Sequence, residues 1–386
     1  MLYLLIEFID ELVFGVNAAA WPLIRDDLAL NYLQIGLALS LPGILGNLIE
    51  PFMFILSDLW KRRVIMLTGG LLFTLSLILT ALSHNFVLLM ASFILFNPAS
   101  GMFVNLAQAN LMDAAPARHE QNMARWTFAG SLGVVAGPLF LSALAWLTWG
   151  WRPAFGLLAL TSALSLVFAW RQVPETGNSA ENLSWRGIGD GFRGALQALG
   201  NRNILRWLIL LEFSDLLLDV FYGFLPLYFV DVAGFSFAQA AASVAVWTGV
   251  GLLGDFLLIP LLERVKGLDY LRWSVLLELI LFPLFLLASP PWLKLVIAGA
   301  MGFFNAGWYA ILKGNLFSAM PEQSGMALAL NSLSGIVGKI IPFAIGLAAQ
   351  FFGLGPAMWL LLAGPIALLI GLPRASENSD QGFGQR

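Results

Sequence analysis

The chain has no cysteine, only two histidines (His84 and His119), and so few charges that Asp, Glu, Lys and Arg together make up 11% of its 386 residues. Without thiols it has no disulfide, no thiolate metal site and no cysteine nucleophile. Both histidines fall between apolar runs, so no imidazole is available inside one, which disfavours the softer transition metals. The net charge of −3 comes with no acidic tail and no basic patch, and nucleic acid is not expected as a partner. What the chain has instead is 59% hydrophobic residues and a mean hydropathy of +0.82, well outside the range of water-soluble domains. The composition implies a multi-pass protein of the lipid bilayer. Met1 opens directly into an apolar run, with acids at 7, 10 and 11 and no basic segment, so the opening is expected to be a first span rather than a cleaved signal.

At about 20 apolar residues per crossing, twelve runs are long enough: 1–24, 33–56, 64–83, 86–112, 124–147, 151–170, 205–230, 237–262, 271–288, 292–317, 325–351 and 356–373. A bilayer interior offers no water to backbone groups, so the runs are read as helices, with no strands. Interior Pro42, Gly43, Pro138, Pro226 and Pro342 are tolerated in such helices. Fifteen of the 20 Lys and Arg lie in or beside the segments 57–63, 113–123, 171–204, 263–272 and 374–386, while Arg25, Arg152 and Lys294 lie on the opposite side. That asymmetry places both termini in the cytoplasm of a cell-membrane protein. Residues 171–204 are rich in Gly, Ser, Asn and charge, and they divide a six-span bundle, 1–170, from a second, 205–373. Within this linker Trp185, Ile188, Phe192, Leu196 and Leu199 recur at helical spacing, which predicts an amphipathic helix lying on the inner leaflet. The tail 374–386 is polar and expected to be disordered.

Charge inside the spans is concentrated. Glu212-Phe213-Ser214-Asp215, followed by Asp219, sits in the seventh run, and Glu7-Phe8-Ile9-Asp10-Glu11 lies 205 residues earlier in the first. Helical spacing puts each acidic set on one face. The same offset relates Glu50 to Asp255, Asp58 to Glu263, Asn110 to Asn315, Pro116 to Pro321, and Gly130 and Gly133 to Gly335 and Gly338. The chain is therefore a repeat of six plus six spans. An even number per repeat leaves both halves in the same topology, with a binding site between them near mid-membrane. Carboxylates are costly at that depth and are functional by default, so each set is expected to face a wet cavity or a partner. Counted from the cytoplasmic ends, Glu7 and Glu50 lie at one level, Glu212 and Asp255 at nearly the same level, and Asp219 and Lys339 deeper, each fourteen residues in. Asp219 and Lys339 are expected to pair. The abundant tryptophans are expected chiefly as interfacial anchors.

Two parallel six-helix repeats, a basic central loop and a charged 2–3 loop resemble the major facilitator superfamily along essentially the whole chain. Its loop signature survives in part as Ser57-Asp58-Leu59-Trp60-Lys61-Arg62-Arg63, with a partial counterpart at Glu263-Arg264-Val265-Lys266-Gly267. The resemblance implies that Asp58, Lys61, Arg62, Arg63, Glu263 and Arg264 latch the cytoplasmic side, where the starts of helices 5 and 11 would face the acids with positive dipole ends. Gly133, Gly137 and Pro138 resemble part of the helix-5 motif of drug/proton antiporters, although its flanking glycines are missing. It further implies that helices 1, 4, 7 and 10 line the cavity, with Asn97, Asn105, Gln108, Asn305 and Lys313 contributing from helices 4 and 10.

The candidate substrate- and proton-binding residues are Glu7, Asp10, Glu11, Glu50, Glu212, Asp215, Asp219, Asp255 and Lys339. The reading they support is a secondary transporter working by alternating access, driven by a proton or cation gradient, with no cofactor and no resident metal. Its partners are a small organic solute, cationic or amphiphilic, and the bilayer, and a monomer is expected. Export is favoured over uptake. Proton-coupled uptake and divalent-metal transport, for which carboxylates supply hard oxygen ligands, are the alternatives. A remote one is an intramembrane prenyltransferase-like enzyme holding a diphosphate near Asp215 and Asp219, which lack the clustered Arg and Lys that a diphosphate needs.

Overall fold

The computed structural model describes residues 1–59, 62–113, 119–173, 200–320, 330 and 334–373, and their side chains except at 50–59, 112, 113, 119–121, 123 and 124. The linker helix expected at 185–199 and the tail 374–386 lie outside the described residues. Among the described residues there are helices and no strands. The regular helices are α1 (Leu2–Leu28), α2 (Tyr32–Leu59), α3 (Arg62–Ala81), α5 (His119–Trp146), α6 (Trp151–Gln172), α8 (Phe237–Leu262) and α9 (Gly267–Leu287). The other five are interrupted. In α4, Phe86–Ser100 passes through a wide π turn at Gly101–Asn105 into Leu106–Asp113. In α7, Arg202–Asp215 does the same at Leu216–Val220 before Phe221–Asp231. α10 is Pro291–Phe304 and Trp308–Ser318, α11 is 334–338 and Ile341–Phe352, and α12 runs from Leu354 to Gly371 through a tighter turn at Trp359–Leu362.

Ten of these helices are long and apolar enough to cross a membrane. The other two are α1 and α7, which carry the acidic sets. At 27 residues α1 is about 40 Å long, ample to span. Its charge, not its length, sets it apart.

The sequence explains several boundaries. Ser236 and Gln239 cap the start of α8 reciprocally, and the Asn85 side chain caps α4 by accepting the Leu88 N–H. Pro342 has no N–H to offer the carbonyl four residues earlier, and α11 breaks at Lys339–Ile340. Gly307 takes a left-handed φ of 73° where α10 breaks. That break lies 205 residues from the region where α4 widens, so both members of this repeat pair leave α geometry at the same register.

Packing repeats as well. α3 lies against α4 and α6, and α2 against α4; in the second half α9 lies against α10 and α12, and α8 against α10. Thr74 and Ser162 Oγ, 2.8 Å apart, join α3 to α6, and Thr80 donates to Ser92 at 2.9 Å to join α3 to α4. Such bonds contribute about 0.6 kcal/mol each inside a membrane. The halves meet along α2 with α11 and α5 with α8, two contacts that the repeat interchanges. Glycines allow the first: a Cβ on Gly36 would lie 3.1 Å from the Gly346 Cα, and one on Gly346 2.5 Å from the Tyr32 carbonyl oxygen. On this side Arg25 and the Tyr32 hydroxyl both bond Asp231, tying α1 and α2 to the end of α7. Ser40 Oγ accepts the Phe343 N–H at 2.8 Å, and Ser142 donates to the Ala238 carbonyl at 2.9 Å. Arg152 pairs with Asp27 alongside. The halves are thus joined at the Arg25 end.

Among the described residues tryptophan divides evenly. Trp146, Trp149, Trp170, Trp273, Trp292 and Trp359 are exposed near helix ends, as anchors would be, whereas Trp21, Trp126, Trp151, Trp207, Trp247 and Trp308 are buried. The expectation of anchoring holds for the first six and is corrected for the others, which fill helix–helix contacts.

Candidate functional site

Between the halves lies a cavity of about 210 Å³. Its two walls differ in chemistry. From the first half come aromatic rings: Phe14 and Trp21 on α1, Phe93 and Phe96 on α4, and Phe155 on α6. From the second come Glu212, Asp215 and Asp219 on α7 and Lys339 on α11.

Lys339 Nζ donates to Asp219 Oδ2 at 3.0 Å, the partnership that equal depth predicts, with the side chains 37% and 49% exposed. Both partners sit at irregularities, Asp219 in the π turn of α7 and Lys339 at the break of α11. The corresponding stretches of α1 and α5 are regular, so this pair belongs to one half only. π turns of this kind are frequent at functional sites. Glu212 Oε1 accepts the Ser334 hydroxyl at 2.8 Å, and its Oε2 is buried without a partner. A Cβ on Gly338 would lie 1.9 Å from that Oε2, and one on Gly43 3.1 Å from the Lys339 side chain, so small residues make room for the charged groups. Asn97 borders the cavity and donates to the Phe93 carbonyl at 3.2 Å.

The remaining candidates stand elsewhere. Asp10 was expected to mirror Asp215 at the cavity; it is instead taken up by Ser100 on α4, whose hydroxyl donates at 2.8 Å, and it is not among the lining residues. Glu7 and Glu11 pack against α5: a Cβ on Gly130 would meet Glu7 Oε1 at 2.7 Å, and one on Gly133 the Glu11 Cβ at 2.9 Å. The reason is axial rather than rotational: α1 presents Val13, Phe14, Asn17, Ala18 and Trp21 to the cavity, and Glu7 and Glu11, seven residues before Phe14 and Ala18 and so on the same face, lie nearer the start of the helix than any lining residue. Asp255 accepts the Gly307 N–H at 3.0 Å and so holds the broken turn of α10. Lys313 lies along its own helix, donating to the Tyr309 hydroxyl at 2.7 Å with its ammonium over that ring, a consequence of i, i+4 spacing. Asn305 is buried at the α10 break, Asn105 is exposed, and Gln108 is half-buried on α4. None of these five residues is among those lining the cavity.

For the latch, Arg63 donates to the Trp170 carbonyl at 2.7 Å, Arg62 is half-buried, and Glu263 and Arg264 are exposed just past α8. Lys61 and the side chains of Asp58 and Glu50 lie outside the described residues, as does the start of α11. Gly133, Gly137 and Pro138 bring α5 flush against α1: a Cβ on Gly137 would meet the Leu12 carbonyl at 2.6 Å, and one on Gly15 would meet Pro138 at 2.8 Å. Among the described residues no three His, Cys, Asp or Glu side chains gather closely enough to hold a metal ion.

Sequence reasoning missed the aromatic wall, Tyr222, Ser334 and the Arg25–Asp231–Tyr32 cluster. Only the last had a signal, in the few charged residues opposite the basic loops.

Comparison with known proteins agrees with this architecture. The chain is 24% identical over 388 residues to the quinolone resistance protein NorA of Staphylococcus aureus strain MSSA476, covering 97% of this chain and 96% of that one. It is 26% identical over 278 residues to a probable sulfoacetate transporter, SauU, of Cupriavidus necator, covering 67% of this chain and 62% of the relative. The crystal structure of the nucleoside transporter NupG superposes with a TM-score of 0.78 over 96% of this chain and 97% of that one, at 12% identity, and so supports the fold. Residues 3–342 match the family model of the Major Facilitator Superfamily, and the chain belongs to that superfamily as a multi-pass membrane transporter.

Proposed function

We propose that the protein is a proton-coupled exporter of small organic cations with an aromatic or otherwise apolar body. One observation carries this reading: among the described lining residues, the first half supplies five aromatic rings and the second supplies Tyr222, three carboxylates and one lysine. An amphiphilic cation suits both walls. Its charge is drawn to the carboxylates, and its apolar part is taken from water by Phe14, Trp21, Phe93, Phe96 and Phe155. Because Lys339 occupies Asp219, Glu212 and Asp215 are the groups left to exchange a proton for the cation. The relative named for quinolone resistance favours export of such a solute, and the flush contact of α1 with α5 at Gly133, Gly137 and Pro138 is consistent with that direction.

On the orientation implied by the basic residues, the Arg25 end is external. The conformation described is then closed outside, and opening it outward requires Asp231 to release Arg25 and Tyr32. The divalent-metal and prenyltransferase alternatives gain nothing from the site: the described acids do not converge on one ion, and among the described residues no arginine lines the cavity to grip a diphosphate. The test is purified protein in liposomes with a pH-sensitive dye inside, challenged with cationic, neutral and anionic solutes and divalent metals. Aromatic cations should move protons in the opposite sense. A response confined to anions or metals would overturn the reading.

A further inference from the structure

Four polar atoms on residues lining the cavity have no hydrogen-bond partner: Glu212 Oε2 among the carboxylates, and Trp21 Nε1, Tyr222 Oη and Asn17 Oδ1. Trp21 is 1% exposed and Tyr222 5%. A buried donor or acceptor left unmade is costly, so such groups mark places where something from outside the chain completes the bond. Several other polar groups of these walls are engaged. Thr80 is shared between the Ser76 carbonyl and Ser92, Asn97 donates to Phe93, and Lys339 holds Asp219.

By chain position Asn17, Trp21 and Tyr222 lie farther along α1 and α7 than the three carboxylates and their repeat counterparts. Asn17 and Trp21 are one turn apart on the same face of α1. Tyr222 stands across from them on α7, its ring stacked on Phe14 with centroids 5.7 Å apart and planes at 15°. This end lies toward Arg25 and Asp231, with Tyr222 one turn beyond Asp219. Along α7, Tyr222 is seven residues beyond Asp215, roughly 10 Å at helical rise. Along α7 the cavity wall therefore reads as carboxylates and then a phenol donor, with the aromatic wall opposite.

We propose that Trp21 and Tyr222, with Asn17 beside them, form a second subsite that recognises a neutral oxygen acceptor, a carbonyl or ether, carried roughly 10 Å from the substrate's cationic group by the helical rise above. The indole N–H and the phenol O–H donate to that oxygen, and Asn17 Oδ1 can accept an adjacent N–H. This deepens the cation-export reading and rests on it. Trp21 and Tyr222 belong to opposite halves, so the subsite is whole only while α1 and α7 are drawn together at the Arg25 end. A ligand bridging them favours the conformation described here.

The test uses two quaternary ammonium probes, 3-(4-benzoylphenyl)propyltrimethylammonium and 3-(4-benzylphenyl)propyltrimethylammonium, which differ in a carbonyl against a methylene. Binding to the full chain in lipid nanodiscs is measured by calorimetry for the wild type, Tyr222→Phe and Trp21→Phe. The wild type should prefer the carbonyl probe by about tenfold, the scale of one well-formed hydrogen bond. In each variant the ratio of dissociation constants should fall to within about twofold of one on the same scale. If the wild type binds both probes equally, or both variants retain its preference, the subsite is overturned and the cation reading stands. If the wild type binds neither probe, the cation reading fails and takes the subsite with it.

Discussion

At the residue scale, the pair of Asp219 and Lys339 shows how far counting alone reaches. Both lie fourteen residues from the same membrane surface, and the structure brings them to 3.0 Å. Depth is legible because a helix has a fixed rise. What a side chain meets at that depth is not, because it depends on what the helix packs against. Asp10 goes to Ser100, Glu7 and Glu11 go to the α5 glycines, and Lys313 folds onto Tyr309, although all four share helices with cavity-lining positions in the family resemblance. The pair's exposure to the cavity sets its energetic weight. Breaking a fully buried pair costs about 3–5 kcal/mol, but side chains that are 37% and 49% exposed keep part of their hydration. Asp219→Asn is therefore expected to destabilise the protein by only about 1 kcal/mol, nearer the surface value, read as a small fall in Tm, with Lys339→Met on top restoring most of it. A loss as large as that of a buried pair would mean that the cavity is dry. Glu212 makes a second case. Any Cβ at 338 collides with its Oε2, so Gly338→Ala should displace the carboxylate and impair cation binding more than it lowers Tm.

At the scale of elements, the twelve spans, the absence of strands among the described residues and the repeat were legible from apolar length and the 205-residue offset. The breaks were not. Pro342 and Gly307 mark two of them, yet many prolines here, Pro22 and Pro138 among them, sit inside unbroken helices. The π turn in α7 has no proline within it, and we have no physical account of its placement. Close helix contacts carry a sharper prediction. A Cβ on Gly137 would lie 2.6 Å and 2.7 Å from backbone atoms of Leu12 and Val16, and backbone does not yield as a side chain does. Gly137→Ala should cost about 1–3 kcal/mol, the range for overpacking, and should cut transport. Gly249→Ala, whose new Cβ would sit 3.8 Å from Val135, should be near neutral in the same thermal assay.

At the scale of the molecule, alternating access requires the contacts at the Arg25 end to break and re-form. Asp231 is the natural place to bias that equilibrium, because it binds Arg25 and Tyr32 together. Arg25 keeps Asp26 as a second partner at 2.8 Å, so Asp231→Asn should shift the balance toward the outward-open state by about 1 kcal/mol, roughly fivefold in population. The absence of cysteine makes this measurable, since labels introduced at Gly150→Cys and Ser289→Cys, both exposed at that end, report the separation of the halves by spin-label distances. Unchanged distances would show that the cluster is not part of the gate.

The account's central claim is that the carboxylates of α7 exchange protons for the substrate cation, with Asp219 held by Lys339 and Glu212 and Asp215 left to titrate. It is tested most directly by counting protons per aromatic cation moved in liposomes for the wild type, Asp215→Asn, Glu212→Gln and Asp219→Asn side by side. Asp215→Asn and Glu212→Gln should carry the cation down its own gradient while losing most proton counterflow, and Asp219→Asn should lower Tm while retaining coupling. Full proton-driven transport in both Asp215→Asn and Glu212→Gln would contradict the claim and leave these acids with a structural role.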